Sequence, residues 1–258
     1  MNGKVALVAG GTRGIGKGVV QELAESGAAV YVTGRTVENE DFGVPCVPVP
    51  CDHSDDRQVE AVIDRISRDQ GRLDVLVNSV WGGYERMVED GAFTWAYPFW
   101  KQPRWRWDLM FAAGVRAHYV ASCLAARLMV QHRSGLIVNI STWAARKHIA
   151  NVAYGVAKAA TDKMTADMAD ELREHGVAAV SIYPGLVRTE KVMEAAAFLD
   201  MSNSESPRFI GRTVVALADD PNLMALSGSV VVAAEYARMR GIQDIDGKQP
   251  RPLTLADV

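Results

Sequence analysis

The sequence predicts an α/β protein built on one doubly wound parallel sheet of about seven strands, with helices on both faces. Three observations predict it. Short β-branched runs alternate with longer helical segments, the pattern of a parallel sheet covered on both sides. A glycine-rich turn, Gly10-Gly11-Thr12-Arg13-Gly14-Ile15-Gly16, joins the first such run to the first helix. No linker, repeat or low-complexity segment divides the 258 residues, so residues 1–258 are expected to form a single domain.

The elements follow in order. Residues 5–8, Val-Ala-Leu-Val, read as a buried strand, and residues 15–26 as a helix stopped by Gly27. Residues 30–33 form the second strand. Residues 46–51 form the third, which Pro48 and Pro50 confine to an edge or an irregular course. The polar stretch 36–45 between them is too short for a crossover helix and is expected to be a loop. Residues 55–70 are helical, with acidic residues at the start as the helix dipole prefers. Strands at 73–77, 136–140, 178–183 and 228–233 complete the sheet, with helices at 108–132 and 151–175 between them. Residues 81–107 break the alternation. This stretch holds Trp81, Trp95, Trp100, Trp105 and Trp107, five of the six tryptophans, and loops of that length tend to be functional. A short polar extension, 236–258, ends the chain.

Composition narrows the function. Hydrophobic residues make up 48% and charged ones 23%, as in ordinary globular proteins. A net charge of −3 without a basic face points away from nucleic acid and from anionic membranes. Cys46, Cys51 and Cys123 lack metal or disulfide spacing and read as reduced thiols. No leader is visible and no apolar run approaches the roughly 20 residues of a membrane span. A cytoplasmic protein without a bound metal is the expectation.

The glycine turn follows a strand and opens a helix, where backbone N–H groups and the helix dipole can receive a pyrophosphate. Its spacing is Gly-x-x-x-Gly-x-Gly, and Gly10, Thr12, Arg13, Gly14, Ile15 and Gly16 are its binding positions. The fold expected is therefore Rossmann-like. The second strand ends Thr33-Gly34-Arg35, with no carboxylate to hold a ribose 2′-hydroxyl. Arg35, with Arg13, suits a 2′-phosphate instead, so NADP(H) is preferred over NAD(H). Asp52, with His53 beside it, is placed for the adenine edge. Asn78 lies at the carboxyl end of the fourth strand, the ligand edge of such sheets.

Tyr154 and Lys158 stand four apart in the long helix and so share one face. A phenol there can exchange a proton with a carbonyl or alcohol oxygen, and a nearby ammonium would favour its ionised form. With Asp52, Leu73-Asp-Val-Leu-Val-Asn78, Asn139-Ile-Ser-Thr142, Tyr154-x-x-x-Lys158 and Pro184-Gly185 followed by Thr189, the chain resembles the short-chain dehydrogenase/reductase family from residue 4 to about 233. Trp107-Asp108, Arg116-Ala-His-Tyr119, Ala126-Arg-Leu-Met129, Asn151-Val-Ala-Tyr154 and Asp220-Pro-Asn222 resemble its member-1 dehydrogenase/reductase subgroup.

The resemblance implies an NADPH-dependent carbonyl reductase acting on apolar, steroid-like or aromatic ketones. It implies Tyr154 as acid/base, and Lys158 on the nicotinamide ribose, lowering the Tyr154 pKa. Pro184, Gly185, Val187 and Thr189 would line the nicotinamide. The substrate-polarising hydroxyl is Thr142 if counted from Asn139 and Ser141 if counted back from Tyr154, the latter being preferred. It further implies a homodimer or homotetramer. Two positions depart from the family pattern. Gly114 stands where the family has an Asn that organises a relay water, and Asn78-Ser79-Val80-Trp81 replaces Asn-Asn-Ala-Gly. A cofactor-bound sensor or scaffold with little catalysis is the alternative these departures allow.

The aromatic residues Phe93, Trp95, Tyr97, Phe99, Trp100, Trp105 and Trp107 suit either a substrate wall or the packing of a long loop. Lys101, Arg104 and Arg106 among them are expected to be a solvated rim.

Overall fold

Alternation of the β-branched runs with helices produces the layered sheet in the computed structural model, which describes residues 1–194 and 196–258. The strands are β1 (Val5–Ala9), β2 (Ala29–Gly34), β3 (Val47–Pro50), β4 (Val75–Asn78), β5 (Gly135–Ile140), β6 (Val177–Tyr183) and β7 (Val230–Val232). All pair in parallel, in the order β3-β2-β1-β4-β5-β6-β7. The order reverses between β1 and β4, so a crevice opens beyond the carboxyl ends of those two strands. Proline-containing β3 takes the edge, where a missing N–H costs no ladder bond. The stretch before it holds only a short turn, Val37–Asn39.

The longer helices are α1 (Gly14–Glu25), α2 (Asp56–Gln70), α3 (Arg104–His132), α4 (Val152–Leu172) and α5 (Pro207–Ala218). Successive strand side chains point to opposite faces. Ala6 and Val8 pack with Val20, Leu23 and Ile210 under α1 and α5, while Leu7 and Ala9 pack with Ile63, Ile66 and Met129 under α2, α3 and α4. Asp55 caps α2, its carboxylate accepting from the Arg57 N–H, and Gly71 closes that helix in the left-handed conformation.

Three features differ from the expectation. Helix α5 was not anticipated, although Ser206 caps it by accepting from the Phe209 N–H and Pro207 sits in its first turn. The 81–107 stretch contains a small hairpin, Val88–Glu89 with Ala92–Phe93. Helix α3 starts at Arg104 and loosens into a π turn at Phe111–Arg116. By length and composition alone, α3 is also apolar enough to cross a membrane, which the sequence reading excluded. Here its Ala117, Ala121, Ala125 and Met129 are buried on the sheet side.

Candidate active site

At the crevice, Gly10 adopts φ +80, and a Cβ there would come within 2.7 Å of the Val80 nitrogen, so this turn tolerates no side chain. The turn delivers the N-terminus of α1 to the carboxyl edge of the sheet. No side chain of the Arg13 cap residue closes that end. Instead the Glu190 carboxylate accepts from the Gly14 N–H at 3.0 Å. The helix end thus already holds an oxyanion, and the same donors suit a pyrophosphate.

Arg13 and Arg35 are exposed on the rim of this turn. The Asp52 carboxyl lies below its ordinary range, held there by the Ser54 N–H and hydroxyl and, more weakly, by the Arg35 charge. His53 is buried, its Nε2 2.8 Å from the Thr33 hydroxyl, and burial pushes its pKa down to about 4. Its ring therefore faces the protein rather than the crevice.

Asn78 also turns inward. Its amide donates to Ser122 Oγ at 3.0 Å and to Asn139 Oδ1 at 2.8 Å, and Asn139 in turn donates to Thr165. This buried network fixes the carboxyl ends of β4 and β5 against α3 and α4.

Beyond β5 the two hydroxyls of uncertain role part company. Ser141 is buried, with Oγ 3.4 Å from the Lys158 carbonyl oxygen. The Thr142 hydroxyl instead faces Tyr154 closely enough to oppose the rise in its pKa. Both hydroxyls therefore lie beside the Tyr154–Lys158 helix, Ser141 at the Lys158 carbonyl and Thr142 toward the Tyr154 phenol.

Asn151 caps α4 through the Tyr154 N–H at 2.9 Å, and its amide donates to the Trp95 carbonyl at 3.0 Å. Tyr154 is thereby fixed in the first turn. Its phenol is raised above its ordinary pKa by burial, against which the Tyr84 and Thr142 hydroxyls act. Lys158 is buried, and its Nζ donates to the Ile140 carbonyl at 3.0 Å. The ammonium sits 3.9 Å from the centre of the Trp81 ring and 6.0 Å from that of Tyr154. Burial pushes its pKa down to about 7. The groups acting on the Tyr154 phenol here are burial and the Tyr84 and Thr142 hydroxyls.

The loop after β6 closes the far side. The Gly185 N–H donates to Glu205 Oε2 at 2.8 Å, and Val187 bridges to Glu205 through the backbone. The Glu205 carboxyl is raised to about 7, by burial first, while the Gly185 N–H works against that rise. Pro184 is buried at the start of the loop. Thr189 reaches the glycine turn, its methyl 3.2 Å from where a Cβ on Gly14 would lie. Glu190 and Glu205 carried no signal in the sequence.

The sequence model of the family described as short chain dehydrogenase matches residues 4–199. The chain belongs to that family. It is 43% identical over 270 aligned positions to dehydrogenase/reductase SDR family member 1 of Mus musculus, covering 96% of this chain and 85% of the mouse protein. The Homo sapiens protein of the same name is 41% identical with the same coverage. A short-chain type dehydrogenase/reductase from Mycobacterium marinum, whose crystal structure is known, superposes with a TM-score of 0.76 at 25% identity, over 90% of this chain and 94% of the other. The protein is therefore a short-chain dehydrogenase of the oxidoreductase class.

In this short-chain dehydrogenase the 81–107 stretch divides its aromatic residues between two uses. Trp95 is buried and meets Tyr154 at 5.5 Å between ring centres, as does Trp81, edge-on. Phe93, Tyr97, Phe99, Trp100 and Trp107 remain exposed. Trp81 fills a notch opposite the π turn, where a Cβ on Gly114 would come within 2.7 Å of its six-membered ring. Gly114 and Trp81 are thus one coupled feature: the indole needs the space that any side chain at 114 would take.

Arg106, expected on a solvated rim, is buried. Its guanidinium donates to the Arg86 carbonyl at 2.7 Å, to the Thr94 carbonyl at 3.0 Å and hydroxyl at 2.8 Å, and to Gln102. It also lies 3.5 Å from Glu89 and over the Trp95 and Trp105 rings. One side chain therefore ties the stretch to the start of α3. Arg106→Met is expected to cost about 3 kcal/mol, because it strands several buried acceptors and a carboxylate. Urea unfolding checks this, and a midpoint equal to wild type would rule the clamp out.

Proposed function

We propose that the protein interconverts carbonyls and alcohols with NADP(H), acting on flat, apolar ketones of the steroid-like or aromatic kind. The observation that carries this reading is the Tyr154 phenol, set one helical turn from buried Lys158, with the anion-accepting end of α1 at the same carboxyl edge of the sheet. A bound dinucleotide supplies or accepts the hydride. The glycine turn would hold its pyrophosphate, displacing the Glu190 carboxylate, with Asp52 at the adenine. Pro184, Gly185, Val187 and Thr189 would line the nicotinamide.

In this reading Thr142 donates to the substrate oxygen and Tyr154 moves the proton. Lys158, drawn to the ribose, would favour the Tyr154 phenolate. Trp81 and Trp95 wall the Tyr154 side and keep bulk water from the reacting carbon. Exposed Tyr119 on α3 and Val152 and Val156 on α4 support assembly as a homodimer or homotetramer.

The test is a carbonyl and alcohol panel with both dinucleotide pairs, alongside binding of each to wild type and Arg35→Ala. The expected result is turnover with NADPH, and NADPH binding weakened roughly 10- to 100-fold in Arg35→Ala with NADH unaffected. Equal NADPH binding by the two proteins would remove the 2′-phosphate assignment. Bound NADPH that no carbonyl oxidises would favour the sensor reading.

A further inference from the structure

We propose that Tyr84 resupplies the Tyr154 proton, forming the outer half of a two-phenol relay from the reacting oxygen to solvent. This rests on the reading of Tyr154 as acid/base and extends it to the proton's source.

The surroundings of the Tyr154 hydroxyl lead to Tyr84. A proton consumed at Tyr154 must be replaced through a hydrogen-bonding neighbour. On one side Trp81 and Trp95 present rings, and the Trp81 indole packs against Gly114, so that side is apolar. Lys158 Nζ, held here by the Ile140 carbonyl and the Trp81 face, is drawn to the ribose in the proposed reaction. Thr142 is claimed by the substrate oxygen in the proposed reaction.

The Tyr84 and Tyr154 hydroxyls are 3.1 Å apart, and because either phenol can donate to the other, a proton can pass between them. Tyr84 is 38% exposed as a whole residue, while burial around its hydroxyl pushes the phenol pKa well up, and the relay assigns its contact with water to the exposed side of the residue. Its ring is held at 5.3 Å from Trp95 and 6.0 Å from Trp81. The other titratable groups beside the pair, among the described residues, are Lys158 on α4 and, within reach of the Lys158 charge, Asp162 on α4 and His118 on α3. Burial keeps His118 neutral at ordinary pH, with its pKa down at about 3.

The proton balance closes. In reduction the carbonyl carbon gains a hydride from the reduced dinucleotide and its oxygen gains the Tyr154 proton, as the C=O π bond breaks. The Tyr154 phenolate takes the Tyr84 proton, and the Tyr84 phenolate takes one from water. Oxidation runs the same transfers in reverse.

Tyr84→Phe keeps the ring contacts and removes the donor. The expected result is a kcat lower by roughly 10- to 100-fold with KM little changed, partly restored by added imidazole as a diffusible proton donor. In the protein without dinucleotide, NMR of ring-labelled tyrosine should show Tyr154 titrating at higher pH in Tyr84→Phe, since a donor to its phenolate is gone. A wild-type kcat in Tyr84→Phe overturns the relay. So does a slowed variant that imidazole does not restore and whose Tyr154 titration has not moved, since that result means packing alone. Full turnover by Tyr154→Phe would instead overturn the underlying acid/base reading.

Discussion

Tyr154→Phe is expected to lower turnover by roughly 100- to 10,000-fold while leaving dinucleotide affinity within about a factor of two. The size follows from what the phenol does in the proposed reaction. Without it, the developing alkoxide must be protonated by water, from a face walled by Trp81 and Trp95. Affinity should persist because the donors proposed for the pyrophosphate belong to α1 and the glycine turn, not to α4. The Phe ring keeps the packing against Trp81 and Trp95, so the melting temperature should fall little. Stopped-flow reduction separates chemistry from release: the loss must appear in the single-turnover rate. A variant that loses affinity as strongly as rate would mean that the hydroxyl organises the site rather than moving a proton.

Much of this arrangement was legible in the sequence, for physical reasons that differ by element. The sheet and the glycine turn could be read because β-branched runs and a glycine fingerprint are local signals, and local signals survive in one dimension. The Tyr154–Lys158 pair could be read because helical spacing fixes a shared face. The choice between Ser141 and Thr142 could not be made by counting. Neighbouring residues leaving a strand point opposite ways, so a shift of one residue moves the hydroxyl from the Lys158 carbonyl toward the Tyr154 phenol.

Arg106 was misplaced for a related reason. A charged residue in a loop reads as solvated, and only the folded arrangement of the Thr94 and Arg86 carbonyls, Gln102 and Glu89 repays its burial. Gly114 was recognisable as a departure, but that Trp81 fills the vacated space depends on two segments meeting. Tyr84 offered no pattern at all: a single tyrosine in an aromatic loop acquires meaning only from the hydroxyl it faces.

Lys158→Met should stabilise the dinucleotide-free protein while abolishing most of its activity. The folded-state pKa of about 7 lies below the roughly 10.4 of an unfolded lysine, because burial disfavours the ammonium. A folded pKa depressed in this way means that the unfolded chain binds more protons between those two values. Wild-type stability therefore rises with pH across that window, and the full penalty is felt below it. Each unit corresponds to about 1.4 kcal/mol, so the buried charge costs on the order of 5 kcal/mol at low pH. Loss of the Ile140 hydrogen bond and the Trp81 contact gives part of the gain back. A net gain of about 2 kcal/mol near pH 6 is expected, shrinking or reversing near pH 9, where the folded lysine is already neutral. Urea unfolding of both proteins at the two pH values measures it. Parallel stability–pH curves would mean that Lys158 keeps its charge at no cost, and that the cleft is wetter than its burial implies. If the gain is observed, the site carries a destabilising ammonium that only a bound polar partner can repay, the signature of a group kept for function rather than for folding.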